Sequence, residues 1–372
     1  LAKRAKKISC IMAGGGTGGH LFPALAVSRE LEARVEQCSI TFVLGKRGRG
    51  EKILRAKGFE VSRLNVEGMK GRGLGKALAV SVRLPSTLFD SMKIIRAKKA
   101  DLVFGVGGYS AGPVCTAAKA LGVPMAIHEQ NAFPGITNRL LSRIADKVFI
   151  SFEDSKEYLK GPEPLVVGTP IRQELLSRGD KQTKGSKSFT LLVLGGSQGA
   201  RAINQAMVEA VPFLGRDGRK LNVIHQTGEH DYDRVRRDYE DMKKETASNK
   251  ITIELYPFIE DMAWAYGEAD LVVSRAGAST LFELAALAKP SILVPYPFAA
   301  NNHQEMNTKA MARAGGALLI TQKELSGPLL AETIAGLMNN QARLKQMAEA
   351  ARCLARPEAA SRIAEQLLEL VI

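Results

Sequence analysis

Residues Ile8–Val27 read ISCIMAGGGTGGHLFPALAV. The segment ISCIMA (Ile8–Ala13) is an apolar run of strand length, GGGTGGH (Gly14–His20) breaks it, and a helix is expected from Leu21 to about Leu31. Glycines between a strand and a helix let backbone N–H groups approach a bound phosphate, and the helix N-terminus adds a positive field. Tight packing alone also calls for glycine in such a turn, so one copy decides nothing.

The unit returns. TLLVL (Thr190–Leu194) runs into GGSQGA (Gly195–Ala200) and a helix starting near Arg201, and a third glycine turn, GVGGYSAG, occupies Gly105–Gly112. Three such turns favour a phosphate-bearing ligand. Between them, apolar strands alternate with helical segments: TFVLG (Thr41–Gly45), PMAIHEQN (Pro124–Asn131) and KVFIS (Lys147–Ser151) in the first half, then NVIHQTG (Asn222–Gly228), ITIELY (Ile251–Tyr256), DLVVSRAG (Asp270–Gly277) and PSILVPYP (Pro290–Pro297). Strands of this kind predict parallel sheets covered on both faces. At 372 residues the chain exceeds what one core usually organises, so two α/β domains are expected. Their boundaries are placed at 1–168 and 169–357, with 358–372 as a terminal helix that crosses back onto the first domain. A cleft between the two is expected to hold the ligand.

Composition narrows the chemistry. Hydrophobic residues make up 45% and charged residues 24%, the profile of a packed globular protein. No run approaches the roughly 18 apolar residues of a membrane span, and no apolar signal region follows the basic N-terminus, so the chain is expected to stay in the cytoplasm. Cys10, Cys38, Cys115 and Cys353 are too dispersed for a zinc site and are expected to be buried and reduced. An NAD site would place an acidic residue after the second strand; LGKRGRG (Leu44–Gly50) is basic there, and no GxxxxGK[ST] motif occurs.

The net charge of +14 suits a nucleic acid, an anionic membrane or a phosphorylated substrate. Half of it lies in one span, where Lys70, Arg72, Lys76, Arg83, Lys93, Arg96, Lys98 and Lys99 face Asp90 alone. Leu74, Leu78 and Val82 recur at helical spacing in that span, and Pro85 is expected to open a second helix with Leu88, Met92 and Ile95 on one side. Such a basic amphipathic pair fits an anionic bilayer surface; the same stripe would equally pack on a core. The span has few aromatics and no nucleic-acid module, so no nucleic-acid partner is expected.

Taken in order, GGGTGGHLFPALAV (Gly14–Val27), GVGGYSAGPV (Gly105–Val114), HEQNAFPGITNRLLS (His128–Ser142), GTPIR (Gly168–Arg172), GGSQGARAIN (Gly195–Asn204) and the run Ser274–Asn307 resemble the bacterial family of UDP-N-acetylglucosamine–lipid I N-acetylglucosaminyltransferases. The resemblance covers nearly the whole chain. It implies a GT-B architecture of two Rossmann-like domains facing across a cleft, with UDP-N-acetylglucosamine as donor substrate and no tightly bound cofactor or metal. The acceptor would be lipid I, a polyprenyl-diphosphoryl muramyl peptide. The enzyme would then sit peripherally on the cytoplasmic face of the bacterial inner membrane, with other cell-wall synthesis proteins as further partners.

Position by position, the resemblance assigns donor binding to Arg172, Ser197, Ile259, Gln304 and the turn Ala278, Ser279, Thr280, Leu281, Phe282 and Glu283. Ile259 would present backbone atoms to the uracil, Glu283 would accept from the ribose hydroxyls, and Gln304 would hold the sugar ring. Thr17, Gly18, Gly19 and Asn131 would close over the sugar. Blander readings stand beside these: Ser197 and Thr280 as helix caps, Glu283 as a capping or solvent-facing carboxylate, Gln304 in an exposed loop, Arg172 in a surface ion pair. His20 is the first choice of general base and Glu129 the second, with His128 orienting. FAANN (Phe298–Asn302) departs from the FAADN form of many relatives. Two rivals remain: a nucleic-acid-binding protein, and another GT-B enzyme such as a lipid-A disaccharide synthase or a UDP-N-acetylglucosamine epimerase.

Overall fold

The computed structural model describes residues 7–15, 18–45, 50–66, 73–179, 188–196, 198–215, 220–245 and 250–371. Alternate residues of the first strand, β1 (Lys7–Ala13), enter two different cores: Cys10 and Met12 one, Ile11 and Ala13 the other. A strand that buries both faces must lie inside a sheet covered on both sides. Then follow α1 (Gly18–Arg34), β2 (Gln37–Gly45), α2 (Gly50–Ala56), β3 (Glu60–Leu64), α3 (Gly73–Ala97), β4 (Leu102–Gly105), α4 (Ala111–Ala120), β5 (Met125–Glu129), α5 (Ile136–Leu141), β6 (Lys147–Ile150) and β7 (Leu165–Val166). The sheet order is β3-β2-β1-β4-β5-β6-β7, parallel at every pairing. The order reverses between β1 and β4, where a doubly wound sheet opens a crevice at its carboxyl end.

The second sheet repeats the plan. Its elements are α6 (Gln173–Gly179), β8 (Phe189–Leu194), α7 (Arg201–Leu214), β9 (Leu221–Gln226), α8 (Tyr232–Glu245), β10 (Ile251–Tyr256), α9 (Met262–Glu268), β11 (Leu271–Ser274), α10 (Ala278–Ala286), β12 (Ser291–Leu293), α11 (His303–Arg313), β13 (Ala317–Leu319), α12 (Gly327–Met338) and α13 (Gln341–Cys353). The order is β10-β9-β8-β11-β12-β13, again parallel, with the reversal at β8 and β11.

Contacts divide the chain into Leu1–Arg172 with Arg356–Ile372, and Gln173–Ala355. The returning segment is α14 (Ala359–Leu368), which packs on α1 and buries Ile363, Ala364 and Leu367 in the core that holds Cys10 and Met12.

Three local expectations are corrected. Helix α1 starts at Gly18, so Gly18, Gly19 and His20 form its first turn. Helix α3 runs through Pro85 without a second start, since an internal proline removes one helical hydrogen bond that neighbouring turns tolerate. Cys10 and Cys115 are buried and Cys38 is partly buried, but Cys353 is exposed at the end of α13. Burial pushes the Cys115 thiol up to about 12 and Cys38 to about 11.

Candidate active site

In the first unit the glycines answer two separate demands. Gly14 and Gly107 have φ of +120° and +88°, and a Cβ on Gly14 would lie 2.3 Å from the Gly107 carbonyl oxygen. The turns after the paired strands β1 and β4 therefore abut, and only glycine fits. Gly19 differs: a Cβ there would meet nothing within 4 Å. Packing does not require glycine at that point, which suits close approach of a ligand to the start of α1. Thr17 lies outside the described residues.

His20, half-buried in the first turn of α1, places Nδ1 3.0 Å from Gln130 Oε1. Gln130 belongs to the HEQN segment that ends β5. His128 beside it is fully buried, and burial lowers its pKa to about 4, so the ring is neutral. Glu129 is 2% exposed. Its Oε1 accepts from Asn131 N (2.9 Å) and Asn131 Nδ2 (3.1 Å), and its Oε2 from Gly135 N (3.0 Å) and Asn138 Nδ2 (2.9 Å). Four donors thus converge on the Glu129 carboxylate. It holds the Asn131–Asn138 turn, with Asn138 a supporting residue that the sequence did not single out.

Arg172, assigned to the donor-binding half, falls in the first unit. Its guanidinium stacks 4.7 Å from the ring centroid of Phe22, one turn beyond Gly18 on α1.

In the second unit, Gly199 has φ of +76° and a Cβ there would sit 1.9 Å from Thr227 O, so the GGSQGA turn is packed directly on the end of β9. Ser197 lies outside the described residues. Gln226, at the end of β9, donates from Nε2 to Gly196 O (3.1 Å) and accepts at Oε1 from Ile259 N (2.9 Å). The Ile259 N–H is thereby taken, and the backbone atom left for a ligand is its carbonyl.

At the C-terminal end of β11, the chain enters α10 with Gly277 as N-cap and no side-chain cap. Ala278, Ser279 and Thr280 form the first turn, with Ala278 buried and Ser279 and Thr280 half-buried, while Leu281 and Phe282 are buried, their side chains serving the core. Thr280 is thus inside the helix and is not its cap. Glu283 is 6% exposed and accepts from Tyr266 Oη at 3.0 Å, which excludes a solvent-facing role. Gln304 accepts at Oε1 from Tyr296 N (2.9 Å), leaving its amide N–H groups as donors.

Arg275, between β11 and α10, escaped the sequence reading. It donates to Val294 O (3.1 Å), Pro295 O (3.2 Å) and Gln322 Oε1 (2.6 Å), and among the described residues meets no carboxylate. Burial lowers its pKa from the ordinary value. A guanidinium stays charged even so, and among the described residues it meets neutral oxygens and the Tyr296 ring, 5.4 Å away. The signal available in the sequence was SRAG, an arginine in a strand–helix turn. A separate cavity of about 650 Å³ is lined by Thr190, Asp270, Lys289 and Leu344, at the opposite end of the strands from the glycine turns.

On α3 the basic surface differs from the expectation. Leu88, Met92 and Ile95 pack on the core formed around Ile11 and Val103, so that stripe faces inward. Among the described side chains of α3 the outward apolar group is Phe89, 55% exposed, with Lys93 Nζ 4.5 Å from its ring. Arg96 is exposed, whereas Lys98 pairs with Glu60 on β3. The side chains of Leu74, Leu78 and Val82 lie outside the described residues. Among the described residues no helix is long and apolar enough to cross a membrane, and no group of three His, Cys, Asp or Glu is placed to hold a metal.

The family models for the glycosyltransferase family 28 N-terminal and C-terminal domains match residues 10–150 and 190–367. The chain belongs to glycosyltransferase family 28. Within the family, a UDP-N-acetylglucosamine--N-acetylmuramyl-(pentapeptide) pyrophosphoryl-undecaprenol N-acetylglucosamine transferase of Syntrophus aciditrophicus is 42% identical over 98% of this chain and 99% of its own. The solved structure of MurG from Acinetobacter baumannii is 33% identical, covers 97% of this chain and 99% of that one, and superposes with a TM-score of 0.77. The fold is GT-B. A UDP-GlcNAc 2-epimerase from Neisseria meningitidis, at TM-score 0.69 and 14% identity, shares the fold.

Proposed function

We infer that the protein is an inverting glycosyltransferase that moves N-acetylglucosamine from UDP-N-acetylglucosamine to the muramyl 4-hydroxyl of lipid I, giving lipid II. The observation that carries this is the 42% identity that runs across both chains almost end to end.

In the reaction the acceptor oxygen forms a bond to the anomeric carbon as the bond to the UDP oxygen breaks, and the electron pair leaves with UDP. A single displacement inverts the centre. His20 takes the acceptor proton at Nε2, which has no hydrogen-bond partner among the described residues. The first turn of α10 and the unneutralised Arg275 offset charge on the leaving diphosphate. Ser197 adds to this anion site in the second unit; in the first unit, Thr17, Gly18, Gly19, Asn131 and Arg172 contribute further polar contacts to the substrates. The Ile259 carbonyl accepts from uracil, Glu283 from ribose, and the Gln304 amide donates to the sugar hydroxyls.

The acceptor side rests on an anionic membrane surface on the cytoplasmic face. Phe89, Lys93 and Arg96 on α3, with Ile136 and Leu140 exposed on α5, support this; Lys98 acts through Glu60 as an internal tie. Transfer of label from UDP-N-acetylglucosamine to a lipid I analogue tests the activity. Epimerised or hydrolysed donor with no labelled acceptor contradicts it.

A further inference from the structure

We propose that Gln130 fixes the tautomer of His20 and so decides which imidazole nitrogen meets the acceptor. The direction is set by two backbone carbonyls, and each assignment forces the next. His128 Nε2 lies 3.0 Å from Gly168 O. A carbonyl only accepts, so Nε2 carries the proton. Ser151 Oγ, 3.3 Å from the same nitrogen, is a secondary contact. Because the buried ring is neutral, His128 Nδ1 is a bare acceptor.

Gln130, 1% exposed, places Nε2 3.0 Å from Val106 O and 3.1 Å from His128 Nδ1. Both neighbours are acceptors, so the amide nitrogen belongs there and Oε1 points the other way. The reversed amide would set oxygen against the Val106 carbonyl and leave buried acceptors unmet, at about 1–3 kcal/mol each. Oε1 therefore faces His20 Nδ1, and an amide oxygen only accepts. In the neutral His20 ring the proton sits on Nδ1 and the lone pair on Nε2. The ring is also backed by the glycine turn after β4, where a Cβ on Gly107 would come within 3.2 Å of His20 Cε1.

Gln130 is thus a positioning residue that works through His20. This rests on His20 as the proton acceptor, and two independent measurements separate the claims. The first needs no variant of Gln130. Long-range ¹H–¹⁵N spectra of histidine-labelled protein, with His20 assigned by its loss in His20→Ala, report which nitrogen is protonated when the ring is neutral. A pyrrole-type Nδ1 and pyridine-type Nε2 are expected; the opposite tautomer overturns the proposal.

The second is a double-mutant cycle with Gln130→Met, which keeps the chain length and removes both amide groups. In the wild-type background kcat is expected to fall about tenfold or more, with donor KM nearly unchanged. In the His20→Ala background the same substitution should cost no further kcat. An equal loss in both backgrounds would mean that Gln130 acts by packing alone and overturns the proposal. Full turnover in His20→Ala removes His20 as the base, while the wild-type spectrum still decides the tautomer.

Discussion

Tyr266 Oη donates to Glu283 Oε2 at 3.0 Å, and both residues are buried. One carboxylate oxygen of Glu283 is thereby pinned from α9, which orients the other. Tyr266→Phe should raise the KM for UDP-N-acetylglucosamine by about tenfold, the worth of one hydrogen bond to a charged group, and leave kcat close to wild type. Glu283→Ala should raise it further. Steady-state kinetics with the donor varied check both, and an unchanged KM in Glu283→Ala removes its ribose role.

Two glycines should respond oppositely to alanine. Gly199→Ala forces a Cβ onto the Thr227 carbonyl at a positive φ and should cost at least about 2 kcal/mol of stability. Gly19→Ala meets open space in the first turn of α1, so the folded unit should tolerate it. Its activity should nonetheless fall if the acceptor or donor approaches the helix start. Denaturant melts and turnover of the two variants read these effects apart.

Acid should weaken the fold through two neutral histidines. Burial lowers His128 from 6.5 to about 4 and His225 to about 3. The unfolded chain binds these protons first, so the stability is fully present above pH 6.5 and is lost as pH falls toward the folded values. Each ring contributes a slope of about 1.4 kcal/mol per pH unit inside its window. Unfolding free energy measured from pH 7 to pH 5 should decline, and His225→Phe should flatten the decline.

The terminal helix should matter for the first unit despite its distance in sequence. Ile363 has no exposed surface and lies among α1 and β1 side chains. Ile363→Ala should destabilise by about 2–5 kcal/mol, seen as a lower melting midpoint.

The two sheets were legible because strand, glycine turn and helix are written consecutively, as in Ile8–Val27. His20 was legible for the same reason, since it follows its turn directly. Its partner was not: Gln130 lies on β5, and only the placing of β4 between β1 and β5 brings the HEQN segment to α1. Tyr266 and Arg275 were missed because their roles depend on helix packing and on carbonyls of later strands. Pro85 was read as a helix start because proline suits a first helical turn, yet α3 continues through it. Lys98 looked like one more surface cation; its pairing with Glu60 follows from β3 lying beside α3.

The central claim is a single displacement that joins donor sugar to acceptor oxygen. The direct measurement is NMR of the disaccharide formed from UDP-α-N-acetylglucosamine and a lipid I analogue, with released UDP quantified alongside. A β-1,4-linked product with one UDP per disaccharide is predicted. An α-linked product, or UDP release without disaccharide, would contradict the account.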